Sequence, residues 1–359
     1  MIARQHRPNQ CPKRPHLAET SVLARQLERN RHTPVIEIRF HYPDPRRRLS
    51  AVRLAHQLRE RLPHQLTRKS RGWEVIATAP DVARFEYQLE LIDTSGRSEW
   101  IVDPANPKRA SGPWGDKSVW EEPGYEPPAW LAAEPVGETE TLTIPSRVLK
   151  AELPAVIWAH ADATKQSPLL VAHDGPEYVE HSALLRYLGQ LPPLRAALIG
   201  PVDRDETYSA SAKYARAFAE DILPQLPPAS VRIGLGASLG ALSLFHTHRR
   251  HPESFDALFL QSGAFFRRAE SYEQEFLARY ERIARFVGGV HRNLPERPIP
   301  IVLGCGTVEE NLPANRALQE SLRRRGYDTR LHEFRDGHNW VAWRDSFHPH
   351  LLRLLQRIR

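Results

Sequence analysis

The chain has 359 residues, 41% hydrophobic and 26% charged, which suits about two globular domains with sizeable cores. No apolar run approaches the roughly 18 residues of a membrane-spanning helix, and two cysteines, Cys11 and Cys305, exclude a disulfide framework. The net charge of +7 sits mostly at the start, where residues 1–33 hold seven Lys/Arg against Glu19 and Glu28; a basic, disordered tail therefore explains it better than a nucleic-acid-binding face.

The opening residues lack the apolar segment of a secretion signal, so the expected location is the cytoplasm. From Thr33 to about Asp103 hydrophobicity alternates with period two: Val35–Phe40, Val52–Leu54, Trp73–Ile76 and Phe85–Ile92, punctuated by Pro43-Asp44-Pro45, Gly72 and Asp93–Gly96. Short alternating strands between such turns predict an immunoglobulin-like β-sandwich domain over 34–135. Residues 103–135 bring Trp114, Trp120 and Trp130 among several prolines, and are expected to form an extended strap over a domain junction. The stretch Glu134–Glu140 is the expected boundary, which leaves 136–359 as the second domain.

Beyond it, continuous apolar runs alternate with helical patterns. Predicted strands are Leu142–Ile144, Ala155–His160, Leu169–Ala172, Ala196–Ile199, Val231–Gly234, Ala257–Gln261 and Ile299–Gly304; predicted helices include Ser209–Leu223 and Leu239–Arg250. This order implies an α/β fold with a mostly parallel sheet covered on both faces.

Gly236-Ala237-Ser238-Leu239-Gly240 stands where a β-branched run meets an apolar helix. A serine on that strand-to-helix corner is the layout of an esterase nucleophile, with the helix N-terminus supplying amides to an oxyanion. Gly234-Leu235-Gly236 fits a dinucleotide loop poorly, since position 239 is Leu where a third glycine is required. In an α/β-hydrolase the acid and then the histidine follow the serine. Glu309 lies just past the strand Ile299–Gly304 and is assigned as the acid, with Glu310 and Asp336 as competitors. His338, on the glycine-flanked loop Asp336-Gly337-His338-Asn339-Trp340, is assigned as general base and acid. The oxyanion donors are expected to be the amides of Leu239 and of Gly175 or Glu177, in the loop His173–Tyr178. His246, His248 and His251 lack metal-ligand spacing and read as a solvated helix end, so no metal is expected.

Several of these segments together resemble the enterochelin (ferric enterobactin) esterase family of esterase-D-like α/β-hydrolases. They are His173-Asp174-Gly175, the serine pentapeptide, Gln261–Phe265, Gly304–Glu309 with Asn315–Leu318, and Gly337–Trp340 with Trp343-Arg344. Phe40–Pro45 and Asp103–Pro107 resemble that family's N-terminal sandwich. Asn339 stands where the family's usual motif has an acid. The resemblance implies a cytoplasmic hydrolase that cuts the esters of a catecholate siderophore with no organic cofactor or catalytic metal, with a homodimer as a candidate assembly. Arg204, Tyr178 and Trp340 become substrate-binding candidates; for Arg204 a surface ion pair with Asp203 or Glu206 is an equal alternative. A related carboxylesterase or acyltransferase acting on feruloyl or acyl esters, and a non-catalytic binding protein, are the competing readings.

Overall fold

A computed structural model describes residues 36–267, 279–290 and 297–358. The basic tail expected over residues 1–33, with Cys11, lies outside them.

The N-terminal part is two antiparallel sheets. One has the order β1 (Glu37–Pro43), β4 (Gly72–Thr78), β3 (Thr67–Arg68). The other runs β2 (Leu49–His56), β5 (Arg84–Asp93), β8 (Lys117–Glu121), β7 (Arg109–Ala110), with β6 (Ser98–Ile101) paired to β5. Alternation decides which side chains face inward: Phe85, Tyr87, Leu89 and Leu91 of β5 are buried between polar neighbours. They meet Ile38 and Phe40 of β1 and Trp73 of β4 in one core, where Phe40 and Tyr87 pack edge to face at 5.1 Å. The strap expected over 103–135 is shorter than the sequence suggested. Residues 109–121 supply β7 and β8 of the sandwich, which pair with each other and, through β8, with β5.

The remaining strands form one eight-stranded sheet. Its order is β16 (Thr329–Phe334), β15 (Ile301–Gly306), β14 (Ala257–Gln261), β13 (Arg232–Ala237), β11 (Leu169–His173), β12 (Arg195–Ile199), β10 (Ala151–Ala159) and β9 (Glu138–Ser146). The six strands from β16 to β12 are parallel, and the β9–β10 hairpin adds an antiparallel edge. Every residue of β11 and β14 is buried, as a parallel sheet covered on both faces requires.

Helices α1 (Gly175–Ser182), α2 (Leu184–Leu188), α8 (Trp340–Asp345) and α9 (His350–Ile358) cover one face, and their side chains share a core with Ile233, Leu235 and Phe259. Helices α3 (Arg204–Tyr208), α4 (Ala212–Ala217), α5 (Leu239–Arg250), α6 (Tyr280–Val290) and α7 (Leu312–Arg323) cover the other. The helix expected over Ser209–Leu223 starts three residues late and then runs on, α4 passing into a π turn (Phe218–Ile222) and a 3-10 turn (Leu223–Gln225). Ala210 takes a positive φ of 55°, and the Ser211 hydroxyl accepts from the Tyr214 amide, so a fresh helix starts at Ala212.

Chain order places the site. The chain leaves β11 toward β12 on one side and returns as β13 on the other, so the crossovers diverge between β11 and β13. The C-terminal ends of strands at such a reversal frame a crevice. Ser238 follows β13 there, and Gly175 follows β11.

Candidate active site

Ser238 has φ 53° and ψ −121° between the last residue of β13 and the first of α5. That backbone is strained for a residue with a Cβ, at about 1–3 kcal/mol, and survives only where the surroundings hold it. The Ser238 amide donates to the Gln261 carbonyl at 2.9 Å, and the Ala264 amide donates back to the Ser238 carbonyl at 3.2 Å. Gly236 and Gly240 allow the corner its tightness. A Cβ on Gly236 would stand 2.8 Å from the Gly240 carbonyl carbon, and one on Gly240 would stand 3.2 Å from Asp174 Oδ2.

Glu309 lies three residues past β15 with its side chain 2% exposed. All its bonds are accounted for: Oε1 accepts from the Ser262 hydroxyl and from the Gly306 amide, each at 2.7 Å, and Oε2 meets His338 Nδ1 at 2.7 Å. Ser262 is itself held by the Trp343 indole N–H at 2.9 Å, and Trp343 lies edge-on to the His338 ring at 5.0 Å. His338 keeps its side chain 32% exposed, open to a substrate on its outer edge. The imidazole is paired with Glu309, and Asp336 points the other way, toward Arg84. Ser262 and Trp343 escaped assignment from the sequence, where each sat in a family-like segment without a role of its own. Ser262 has a positive φ of 48°, a backbone cue that the sequence hides.

The Gly175 side of the crevice is built differently. Asp174 sits in the left-handed region at φ 53°, which a short polar side chain tolerates, and Gly175 begins α1. As first residues of α1 and α5, the Gly175 and Leu239 amides have no acceptor within their own helices. Gly175 is required by contact, since a Cβ there would fall 2.4 Å from Leu198 Cα. His173 anchors this turn from beneath. It is fully buried, stacked on Tyr208 at 4.6 Å, and its Nε2 pairs with the Tyr214 hydroxyl at 3.0 Å. Burial pushes its pKa down to about 3, so it stays neutral.

Arg204 grips Asp174 with two bonds of 2.9 and 2.8 Å rather than pairing with Asp203 or Glu206. Asp203 instead caps α3, and Glu206 takes Arg279 and Arg282. Burial opposes the Arg204 charge, but Asp174 outweighs it and raises the guanidinium above its ordinary value.

Two expectations need correcting. Tyr178 is not placed to bind substrate: it is 0% exposed in the helix–sheet core, with its hydroxyl donated to Gln261 Oε1 at 2.6 Å. Trp340 is half-buried and packs edge-on to Tyr178 and Trp343. The histidines of α5 are not a solvated helix end either. His246 and His248 are buried: Phe286 of α6 lies edge-on to His246 at 4.7 Å, and Tyr327 lies edge-on to His248 at 6.3 Å. Among the described residues no group of three or more His, Cys, Asp or Glu could hold a metal ion, and no helix is long and apolar enough to cross a membrane.

Comparison with known proteins agrees with this architecture. Residues 203–354 match the family model described as putative esterase. The iron(III) enterobactin esterase of an Escherichia coli O6:H1 strain is 26% identical over 277 residues, covering 71% of this chain and 68% of that one. Two solved structures share the fold over 90% of this chain and 94% of theirs at 21% identity: the ferric enterobactin esterase of Salmonella typhimurium, with a TM-score of 0.71, and the Shigella flexneri enterobactin esterase in the presence of enterobactin, with 0.70. A ferulic acid esterase matches 62% of this chain at 16% identity, with a TM-score of 0.50. The chain has an α/β-hydrolase fold, carries an esterase match over residues 203–354 that supports a carboxylic ester hydrolase, and is similar along most of its length to ferric enterobactin esterases.

Proposed function

We propose that this enzyme hydrolyses the backbone esters of a ferric catecholate siderophore in the cytoplasm, so that the iron is released from the opened ligand. Ser238 is the nucleophile, His338 the base and then the acid, and Glu309 the group that orients the ring. The observation that carries this reading is the 2.7 Å contact between His338 Nδ1 and the buried Glu309 carboxylate. With Nδ1–H donated to Glu309, the ring presents Nε2 as an acceptor for the serine proton.

Ser238 Oγ attacks the ester carbonyl carbon as Nε2 takes the hydroxyl proton. The negative charge that forms on the carbonyl oxygen is met by the Leu239 and Gly175 amides. Collapse of the tetrahedral intermediate breaks the ester C–O bond, and the imidazolium gives its proton to the departing alcohol. Water then attacks the acyl-enzyme, again losing its proton to Nε2, and Ser238 leaves with that proton restored.

The substrate class rests on similarity. The enterobactin esterase structures cover the sandwich as well as the catalytic sheet, whereas the ferulic acid esterase covers only 62% of the chain. The half-exposed guanidinium of Arg204, beside the oxyanion turn, suits a substrate that is anionic.

A fluorophosphonate probe should label the wild-type chain, and Ser238→Ala should abolish labelling and lower kcat by about 10⁵–10⁶. A ferric tris-catecholate trilactone should be turned over faster than a feruloyl ester. Faster feruloyl cleavage would reject the substrate class, and an unlabelled wild-type enzyme would reject the nucleophile.

A further inference from the structure

Asp336 and Asn339 bracket Gly337-His338, and a single side chain from the other half of the molecule holds both. Arg84 opens β5 of the sandwich, 2% exposed. Its Nη1 donates to Asn339 Oδ1 at 2.8 Å and to Asp336 Oδ2 at 3.3 Å, while Nη2 donates to Glu86 Oε1 at 3.0 Å. The loop closes the network on its own side. Asp336 Oδ1 accepts from the Gly337 amide at 2.6 Å and from Asn339 Nδ2 at 2.8 Å, and Asn339 Oδ1 also accepts from the Ala342 amide at 2.9 Å, capping α8.

The surroundings extend the same grip. The Ala83 amide donates to the Arg335 carbonyl at 2.6 Å, and Arg335 pairs with Asp81 and Glu122 of the sandwich side. Val308, the residue before Glu309, is buried in the sandwich core. A Cβ on Gly306 would meet the Asp336 carbonyl oxygen at 2.1 Å, so the histidine loop lies directly on the end of the acid's strand.

Adhesion alone does not call for this arrangement. A buried ion pair adds little to stability over well-packed apolar residues, but it fixes orientation where apolar contact would allow sliding. A planar guanidinium that bonds one residue on each side of an imidazole sets the loop's position along and across the sheet edge.

We propose that Arg84 is a positioning residue for the reaction: through Asp336 and Asn339 it holds the His338 loop in register with Glu309 and Ser238, which makes the sandwich a working part of the catalytic unit. This rests on the triad assigned above. The effect belongs to kcat, because a base displaced by about 1 Å costs up to roughly 10²-fold in rate while leaving substrate contacts in place.

The test compares the full-length wild type with Arg84→Met, Arg84→Lys and Asn339→Asp, following steady-state turnover, the fluorophosphonate labelling rate and circular dichroism. Arg84→Met, folded by its spectrum, should lower kcat and the labelling rate together by about 10- to 100-fold with KM within about threefold. Lysine, which keeps the charge but bonds one partner at a time, should recover part of that loss. Asn339→Asp keeps the helix cap and the Arg84 contact yet cannot donate to Asp336; it should slow labelling by about three- to tenfold. A folded Arg84→Met enzyme labelled at the wild-type rate, or one whose deficit lies in KM alone, overturns the proposal. If Arg84→Met does not fold, wild-type labelling rates in both folded conservative variants overturn it instead. Labelling that persists in Ser238→Ala rejects the triad itself, a result separate from all of these.

Discussion

The two flanks of Ser238 are held by different physics. On the acid–base flank, charge and hydrogen bonding fix every group: both oxygens of Glu309 are occupied, and Arg84 clamps the loop that carries His338. On the oxyanion flank the fixing is largely steric, with one ion pair, buried Asp174 held by Arg204. Gly175 permits a backbone contact that no side chain could share, and an uncharged His173 packs beneath the turn. Only the Arg204 end of that pair reaches the rim, where it is half-exposed, and Glu177 keeps a buried Oε2 with no hydrogen-bond partner among the described residues. Polar edits on the first flank should therefore strike kcat. On the second, steric edits should strike kcat and charge edits should strike KM.

The largest effect that would break this division lies at Glu309. Glu309→Gln preserves volume but cannot hold the imidazole in the same tautomer and orientation. A fall in kcat of about 10³–10⁴ with KM nearly unchanged is expected, by analogy with amide substitution of a triad acid. Glu310→Gln should stay within about threefold of wild type. If the two variants behave alike, the acid has been misassigned.

Gly175→Ala is next. The new methyl would lie 2.4 Å from Leu198 Cα, on backbone that cannot swing aside, so the turn itself must move. Overpacking of this kind costs about 1–3 kcal/mol in stability. Displacing one oxyanion donor should lower kcat by about 10²-fold. A normal kcat in a folded Gly175→Ala protein would show that the turn takes no part in stabilising the oxyanion.

Arg204→Met should act mainly on binding. Without its partner Asp174 stays buried and uncompensated, so stability should fall by a few kcal/mol. In the protein that remains folded, KM for an anionic ferric substrate should rise about tenfold, while that for a neutral ester changes little. Equal changes for both substrates would remove Arg204 from the substrate's path and leave it as a structural partner of Asp174.

The same division governs what the sequence disclosed. Ser238, His338 and the apolar strands were legible because each announces itself locally, through glycine spacing, chain order or a run of buried residues. Arg84 was not, since its partners lie 252 and 255 positions away and nothing in Arg-Phe-Glu-Tyr marks the arginine as buried. Tyr178 misled for a related reason: it follows the oxyanion turn in sequence, but the α1 helix rotates it into the core. His246 and His248 look solvated among Arg249 and Arg250, and only distant residues, Phe286 over His246 and Tyr327 over His248, bury them. Strand ends were read to within a few residues; the late start of the next helix at Ala212 depends on one positive φ and one serine cap.

The smallest effect at neutral pH is also the one that separates the flanks by sign. His173 ordinarily titrates near 6.5 and is held down to about 3 by burial. Between those values the unfolded chain carries a proton on this ring that the folded chain refuses, so stability falls as pH falls, by a few kcal/mol for this site at pH 4.5. Asp336 responds in the opposite direction. Burial, against the pull of Arg84, pushes its carboxyl from 3.8 up to about 6, so the folded chain takes up the proton first and gains stability as pH drops through that window. Denaturant unfolding at pH 7.5 and 4.5 reads both terms. His173→Gln should be the less stable protein at pH 7.5, by about 1 kcal/mol for the lost bond to Tyr214, yet lose less than wild type on acidification. Asp336→Asn should lose more than wild type over the same interval, because it forfeits the compensating proton uptake. Identical acid sensitivity in the two variants would mean that the flanks do not differ in how they hold charge, and the contrast drawn between them would fail.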